Sequence, residues 1–216
     1  MDDHSFQPDQ VLDLWFPDNG FWESEERFSA WIEERMYGGM DETIIQNHAD
    51  LTRAAARSEL DHWAETAEGR IALLIALDQF PRSLWRDTPG AYAQDIKANR
   101  LVLEGIANGH FAAVKPWKKL FYLIALGHCE GPDHLDRIAL IDELSETLIS
   151  EMPAVLANMG DSLRAQNTRV RGVIERFGRH PHRNVHYGRV SSADEESYIA
   201  TGDFPHLPRT EPTDGS

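Results

Sequence analysis

Residues 176–189 read RFGRHPHRNVHYGR and form a basic stretch in a chain that is acidic elsewhere. Four arginines and three histidines fall in this stretch, which contains no acidic residue. Gly178, Pro181 and Gly188 argue against a continuous helix. Helical patterns lead into the stretch and out of it, so we predict a loop between packed helices. Loops held by a rigid scaffold are frequent places for binding chemistry.

Helical spacing of apolar residues dominates the chain on both sides of this loop. Val170, Val173, Ile174 and Phe177 follow the i, i+3, i+4, i+7 pattern of a helix packed on a core. Alternating strand patterns with hairpin turn signals are missing. The sequence therefore predicts an all-α fold of about eight or nine helices with short connections between antiparallel neighbours. The predicted helices start near Asp9, Glu23, Asp41, Thr66, Pro89, Pro116, Asp133, Asp161 and Ser192.

Local signals predict where some of these helices begin and end. The helix that contains the apolar run of residues 71–77 is expected to end at Phe80, because Pro81 cannot continue it without strain. Asp133 is expected to cap the seventh helix. Ser192 and Glu195 have the spacing of a capping box for the last helix.

Length and charge set the domain number and the class of partner. The chain has 216 residues and a formal net charge of −15. This length predicts a single helical domain over residues 1–209, followed by a flexible tail at residues 210–216. The acidic surface disfavours nucleic acid and anionic membrane as partners. The basic loop keeps open the binding of a small anion.

The expected compartment is the cytoplasm. Cys129 is the one cysteine, so an intrachain disulfide is excluded and a reducing compartment is favoured. The first ten residues, MDDHSFQPDQ, carry acidic side chains where a signal peptide has a basic region. The longest apolar run, residues 71–77, is too short to span a bilayer.

Three stretches carry a resemblance to a known family. They read LDQFPRS at residues 77–83, GHCEGPDH at residues 127–134 and RFGRHPHRN at residues 176–184. Their order resembles the bacterial family known as domain of unknown function 924, over residues 11–208. The resemblance implies a tetratricopeptide-like, right-handed array of antiparallel helix pairs, and it implies no established activity. Two positions depart from the family pattern: Cys129 replaces a serine, and Asp95 is followed by Ile96 where many members have proline.

Polar residues of these three stretches are the candidate ligand-binding residues. We expect the helix ends that bear them to meet at one rim of the array. Arginine forks bind carboxylate or phosphate, and a histidine near neutral pKa can act as acid or base. The alternative is a structural network in which the arginines cap helix carbonyls and pair with carboxylates. The candidates are Asp78, Arg82, His128, Glu130, Arg179, His182, Arg183 and Asn184.

A metal site and a catalytic thiol are weaker hypotheses. His180, His182 and His186, with Asp78 or Glu130, offer nitrogen and oxygen ligands. The flanking arginines repel a dication, so we predict no metal and no other cofactor. Cys129 is more simply explained as a buried structural residue.

Two functions from different classes remain open at this point. The first is a binding module whose concave helical surface receives a peptide or protein partner. The second is an enzyme or sensor that binds a small anionic metabolite, carboxylate or phosphate, at the Arg/His cluster. A long open groove favours the first function, and a compact pocket where the three motifs meet favours the second.

Overall fold

The computed structural model describes residues 6–205, which form helices and turns and no β-strand. The predicted all-α class is therefore confirmed, and the tail predicted at residues 210–216 lies outside the described residues. Short 3-10 helices occupy Phe21–Glu23, Asp61–Glu65, Pro89–Tyr92, Ala154–Leu156 and Pro181–Arg183. The α-helices are α1 (Asp9–Trp15), α2 (Glu25–Met36), α3 (Asp41–Asn47), α4 (Ala49–Ala56), α5 (Ala67–Asp78), α6 (Phe80–Leu84), α7 (Asp95–Ala107), α8 (His110–Ala113), α9 (Pro116–His128), α10 (His134–Glu151), α11 (Met159–Phe177) and α12 (Ala193–Ile199).

The described residues divide into more helical segments than the eight or nine predicted. The chain breaks at His48, so a helix predicted as continuous becomes α3 and α4. The predicted end at Phe80 was wrong: α5 ends at Asp78, and Phe80 begins α6. Pro81 lies in the first turn of α6, where its missing N–H would have had no helical acceptor.

The capping predictions had mixed outcomes. Ser192 and Glu195 form the predicted capping box, with hydrogen bonds in both directions. Asp133 stands at the start of α10, but its side chain caps no backbone N–H. Its carboxylate instead accepts hydrogen bonds from Arg137, one turn along the helix. The Asp133 carboxylate therefore binds the Arg137 guanidinium instead of the backbone N–H groups that it was predicted to cap.

Helix α5 lies at the centre of the core. Every residue from Gly69 to Asp78 is buried, so this helix is covered on all sides. It packs against α1, α4, α7 and α9. Ile71, Leu73 and Leu74 are each at most 1 % exposed. The polar residues at its C-terminus are consequently held by a rigid scaffold.

Helices α5 and α9 run in the same direction. Glu68 near the start of α5 pairs with Lys118 near the start of α9. Asp78 at the end of α5 contacts His128 at the end of α9. Both pairs are separated by 50 residues in sequence, which defines a parallel alignment. The C-termini of the two helices therefore lie side by side.

Helix α7 runs opposite to α5. The Arg70 guanidinium near the start of α5 pairs with Glu104 in the second half of α7. At the other end, Arg82 pairs with Asp95, the first residue of α7. The N-terminus of α7 thus joins the C-termini of α5 and α9 at one end of the fold.

Helices α9, α10 and α11 reverse direction at each connection. Lys119 of α9 pairs with Glu151 at the end of α10, and Glu146 of α10 pairs with Arg164 early in α11. Helix α11 ends at Gly178, whose φ of 67° lies in the left-handed region that favours glycine. The chain then enters the basic loop. Among residues 6–205, no helix has the length and apolarity needed to cross a membrane.

Candidate functional site

Asp95 is the shared partner of two arginines at this end of the fold. The Arg82 Nη2 atom lies 3.0 and 3.1 Å from the two carboxylate oxygens of Asp95. The Arg183 Nη1 atom lies 3.3 Å from Asp95 Oδ2 and donates to the His128 carbonyl oxygen at 2.7 Å. Arg183 comes from the 3-10 turn after α11, so this network joins α7, α9 and the basic loop.

Asp78 is the second carboxylate of the network. Its two oxygens each lie 3.0 Å from the Nδ1 atom of His128, and Oδ2 accepts a hydrogen bond from Gln79 at 2.5 Å. Arg82 Nη1 lies 3.3 Å from Asp78 Oδ1 and also donates to the Asp78 carbonyl oxygen. Asp78 and His128 are only 1 % and 2 % exposed. Their contact is therefore shielded from bulk water.

Burial and neighbouring charge determine the protonation of His128. Burial lowers the pKa of His128 well below its usual value, and the positive charges of Arg82 and Arg183 lower it further. Burial raises the pKa of the Asp78 carboxyl, while the same two arginines act in the opposite direction. An ionised Asp78 only accepts hydrogen bonds, so the Nδ1 atom of neutral His128 must donate.

A pocket of about 280 Å³ opens beside this network, and we call it the arginine pocket. Four arginines and two aspartates line it, so its wall carries a surplus of positive charge in a protein of net charge −15. Asp78 and Asp95 are not among its lining residues. The lining consists of Arg35, Met36, Gly38, Asp41, Gln79, Arg82, Ser83, Arg86, Asp87, Ala91, Tyr92, His128, His182, Arg183, His186 and Phe204.

Arg183 has unused hydrogen-bond donors in the wall of the arginine pocket. Its side chain is 2 % exposed, and Nη1 makes both of its hydrogen bonds within the described residues. The buried Nε atom has no partner in residues 6–205. The guanidinium carbon lies 4.6 Å from the centre of the Tyr92 ring, which fixes the plane of the fork.

His182 faces the same pocket. Its ring stacks on Phe204 at a centroid distance of 4.8 Å and contacts the His180 ring at 5.6 Å. Burial, with Arg183 and other nearby cations, lowers the pKa of His182 to about 3. His182 is therefore neutral near pH 7, and its Nδ1 atom has no hydrogen-bond partner among the described residues.

The structure brings five of the eight candidate residues into one arrangement. Asp78, Arg82, His128 and Arg183 belong to the buried network, and His182 lines the pocket next to it. The helix ends meet as the sequence analysis expected, although the partnership of Asp95 with both arginines was missed. Asp95 lay inside the helix predicted to start near Pro89, whereas in the structure it is the first residue of α7, and no local pattern marked it as a partner of the arginines.

The other three candidates have partners away from the arginine pocket. Glu130 pairs with Arg189 at 2.5 Å and accepts a hydrogen bond from the backbone N–H of His180 at 2.8 Å. Burial alone raises the pKa of Glu130, but these donors outweigh it and leave the pKa below its usual value. Arg179 forms a two-pronged ion pair with Glu195, which anchors α12 to the basic loop.

Asn184 also has a structural position. Its Nδ2 atom donates to the Ser191 hydroxyl at 2.9 Å, and its carbonyl oxygen accepts from the backbone N–H of Arg189. These bonds close the loop on itself. Glu130, Arg179 and Asn184 therefore hold the basic loop in place, and Arg183 is the residue that the loop presents to the pocket.

Sequence analysis also missed pocket residues that lie far from the three motifs. Arg35 of α2 donates to the carbonyl oxygens of Trp15 and Trp31, which holds its guanidinium at the edge of the pocket. Tyr92 lies in the 3-10 helix before α7, and its ring contacts the Arg183 guanidinium. Both residues depend on long-range packing and gave no local signal.

The metal and thiol hypotheses gain no geometric support. No group of three or more His, Cys, Asp or Glu residues in the described chain has an arrangement that could hold a metal ion. Cys129 is 4 % exposed, and burial raises the pKa of its thiol. A buried neutral thiol is a poor nucleophile.

Comparison with known proteins identifies the family. A family model described as a bacterial protein of unknown function, DUF924, matches residues 11–203. The chain belongs to the DUF924 family. One solved structure, that of a protein of unknown function from Agrobacterium tumefaciens, is similar to this chain with 28 % identity and a TM-score of 0.67. The alignment covers 90 % of this chain and 97 % of that one. No curated protein matches the chain.

Proposed function

We propose that the arginine pocket binds a small anionic ligand that carries a carboxylate or phosphate group. The observation that carries this proposal is the buried fork of Arg183, whose Nε atom has no partner in residues 6–205. Leaving a buried charged donor without an acceptor is costly. An anion in the pocket would supply that acceptor, and an arginine fork binds such groups with two hydrogen bonds.

The balance of charge around Arg183 supports the same proposal. Inside the wall, the positive charges of Arg82 and Arg183 are matched by Asp78 and Asp95. Both carboxylate oxygens of Asp95 accept from Arg82, and Oδ2 also accepts from Arg183. A purely structural network would give each donor of Arg183 an acceptor, and within residues 6–205 this network leaves Nε without one.

The Asp78–His128 pair gives the pocket a further polar group. Asp78 fixes the His128 ring through Nδ1, an arrangement that orients the ring and selects its tautomer. The low pKa of His128 keeps it neutral, so a hydrogen bond to the ligand is the role we assign to it.

The binding module for a peptide or protein partner, predicted from the sequence, is the second candidate. Its surface would be the apolar cleft beside α2 and α11, where cavities of about 270 and 130 Å³ lie. The buried Arg183 fork, which lacks an acceptor for Nε in residues 6–205, favours a small anion in the arginine pocket over a peptide in this uncharged cleft.

A thermal-shift titration tests the proposed function. Phosphate and succinate should raise the melting temperature by about 5–10 °C at one hundred times their dissociation constant, against chloride at equal ionic strength. Arg183→Lys keeps the charge and removes the fork, so it should abolish the shift. Arg164→Lys, at an exposed ion pair on α11, is the matched control and should keep it.

A variant at the pocket mouth keeps the test decisive if Arg183→Lys does not fold. Arg86 is partly exposed and pairs with Asp41, so Arg86→Gln should leave the fold intact and weaken anion binding. The absence of any anion-specific shift in the unmodified protein contradicts the proposal. An unchanged shift in folded Arg183→Lys does so as well.

A further inference from the structure

An apolar cleft continues from the arginine pocket between α2 and α11, over a floor formed by α9 and α10. Two adjoining cavities of about 270 and 130 Å³ make up this cleft, which we call the apolar groove. Ile32, Leu120 and Leu163 line both cavities, so the two adjoin. Ile32, Leu120, Ile124 and Leu163 pack on the core and remain partly exposed in the groove.

The composition of the groove wall differs from that of the protein as a whole. Charged residues make up 26 % of the sequence. Within the described part of the chain, no Asp, Glu, Lys or Arg lines either cavity of the groove. A partly exposed apolar wall without charges is a feature of ligand-binding grooves.

The apolar groove begins where the arginine pocket ends. Met36 lines both, and Gly127 of the groove precedes His128 of the pocket at the end of α9. Along α2 the lining passes from Met36 through Ile32 to Phe28 at the far end. The eight steps along the helix from Met36 to Phe28 rise about 12 Å, which gives the length of the groove.

We propose that the arginine pocket and the apolar groove form one site for an amphiphile with a single carboxylate and an unbranched hydrocarbon chain, a medium-chain fatty acid. This inference rests on the proposed anion binding and names its ligand class. The carboxylate accepts hydrogen bonds from Arg183, and the hydrocarbon chain lies along Met36, Ile32 and Phe28. The hydrocarbon chain matches the uncharged apolar wall of the groove, and the carboxylate matches the positive charge of Arg183.

The rim of the pocket favours a carboxylate over a phosphate dianion. Asp41 and Asp87 lie among its lining residues and offset part of the positive charge that would attract a dianion. Arg35 and Arg86 are already engaged with backbone carbonyls and with Asp41. Because the other two arginines are engaged, the guanidinium of Arg183 is the group that binds the single carboxylate of the ligand.

A chain-length series tests the inference by calorimetry on the unmodified protein. Butyrate, hexanoate, octanoate and decanoate are titrated below their micellar concentrations. Affinity should rise about fourfold for each buried methylene until the groove is filled. Decanol, which lacks the charge, should bind much more weakly than decanoate.

A groove-filling variant locates the hydrocarbon chain. Leu163→Trp should reduce decanoate affinity to the level of butyrate and leave butyrate binding unchanged. Leu103→Trp, at a 39 % exposed position on α7 outside the groove, is the matched control and should bind decanoate normally. The chain-length series decides the question even if Leu163→Trp fails to fold.

The outcomes separate this inference from the proposed function. Equal affinity for butyrate and decanoate overturns the groove assignment and leaves anion binding intact. Equal binding of decanol and decanoate overturns the assignment of the carboxylate to Arg183. Failure of every carboxylate and of phosphate overturns both proposals.

Discussion

The Nδ1 atom of His128 lies 3.0 Å from each carboxylate oxygen of Asp78, although 50 residues separate them in the sequence. The contact forms because α5 and α9 run parallel and end at the same level. Each residue is the last of its helix. The loop after α11 then adds Arg183 to the same place, and the arginine pocket opens beside these three residues.

Removing the shared carboxylate Asp95 should destabilise the protein strongly. Asp95→Asn leaves the buried guanidinium groups of Arg82 and Arg183 without their common counter-charge. We expect a loss of about 3–5 kcal/mol in the free energy of unfolding, measured by urea denaturation. Asp161→Asn removes an ion pair whose carboxylate is 92 % exposed, and it should cost less than about 1 kcal/mol. Equal losses in the two variants would show that the network contributes little to stability.

Shortening a side chain in the centre of α5 should create a cavity. Leu74 is 1 % exposed and belongs to the contiguous apolar core. We expect Leu74→Ala to cost about 2–5 kcal/mol in chemical denaturation, because a buried leucine loses both its burial and its packing. Leu103→Ala, at a partly exposed position on α7, should cost less. A change below about 0.5 kcal/mol at Leu74 contradicts its burial.

His182 should make the protein less stable in acid. The folded pKa of His182 is about 3, against 6.5 for an unperturbed histidine, so only the unfolded chain takes up this proton between those values. The contribution of His182 to the free energy of unfolding is therefore fully present above pH 6.5. It falls as the pH decreases towards 3, by at most about 1.4 kcal/mol per pH unit. Arg183, His186 and Arg189 contribute to the low pKa.

The variant His182→Gln isolates this contribution. Burial also lowers the pKa of His134 to about 4 and raises that of Asp78 and Asp95, but these groups are common to both proteins. We expect the free energy of unfolding of His182→Gln to fall about 1 kcal/mol less per pH unit between about pH 6 and pH 4. His62→Gln, at an exposed position, should follow the unmodified protein. Parallel curves for His182→Gln and the unmodified protein would refute the low pKa.

Cys129 should react slowly with thiol reagents in the folded protein. Its side chain is buried, its Sγ atom lies 3.6 Å from the Glu130 carbonyl oxygen, and burial raises its thiol pKa. The reagents attack the thiolate, so both access and ionisation are reduced. The rate of colour release from Ellman's reagent should rise sharply once urea unfolds the chain. A rate in the native state equal to that of unfolded protein is incompatible with this burial.

Part of the candidate site followed from sequence alone, because its residues stand at recognisable helix ends. The apolar periodicity and the proline and glycine positions placed Asp78, His128 and Arg183 near the ends of separate helices. The topology of antiparallel neighbours then predicted a common rim. The structure places Glu130 and Arg179 in ion pairs away from the arginine pocket, because a local motif does not say which of several arginines points inward.

The sequence by itself determined the all-α class, the capping box at Ser192 and the family of the chain. These features depend on spacing and side-chain chemistry within a few turns of helix, or on motifs read in order. Only the tertiary structure decided that Asp95 pairs with both Arg82 and Arg183, and that a charge-free groove continues from the arginine pocket. In the sequence, Asp95 is 13 residues from Arg82 and 88 residues from Arg183. These contacts form because a buried charged group is stable only beside a partner. The packing of the helices determines which partner lies close by, and no local sequence pattern records that packing.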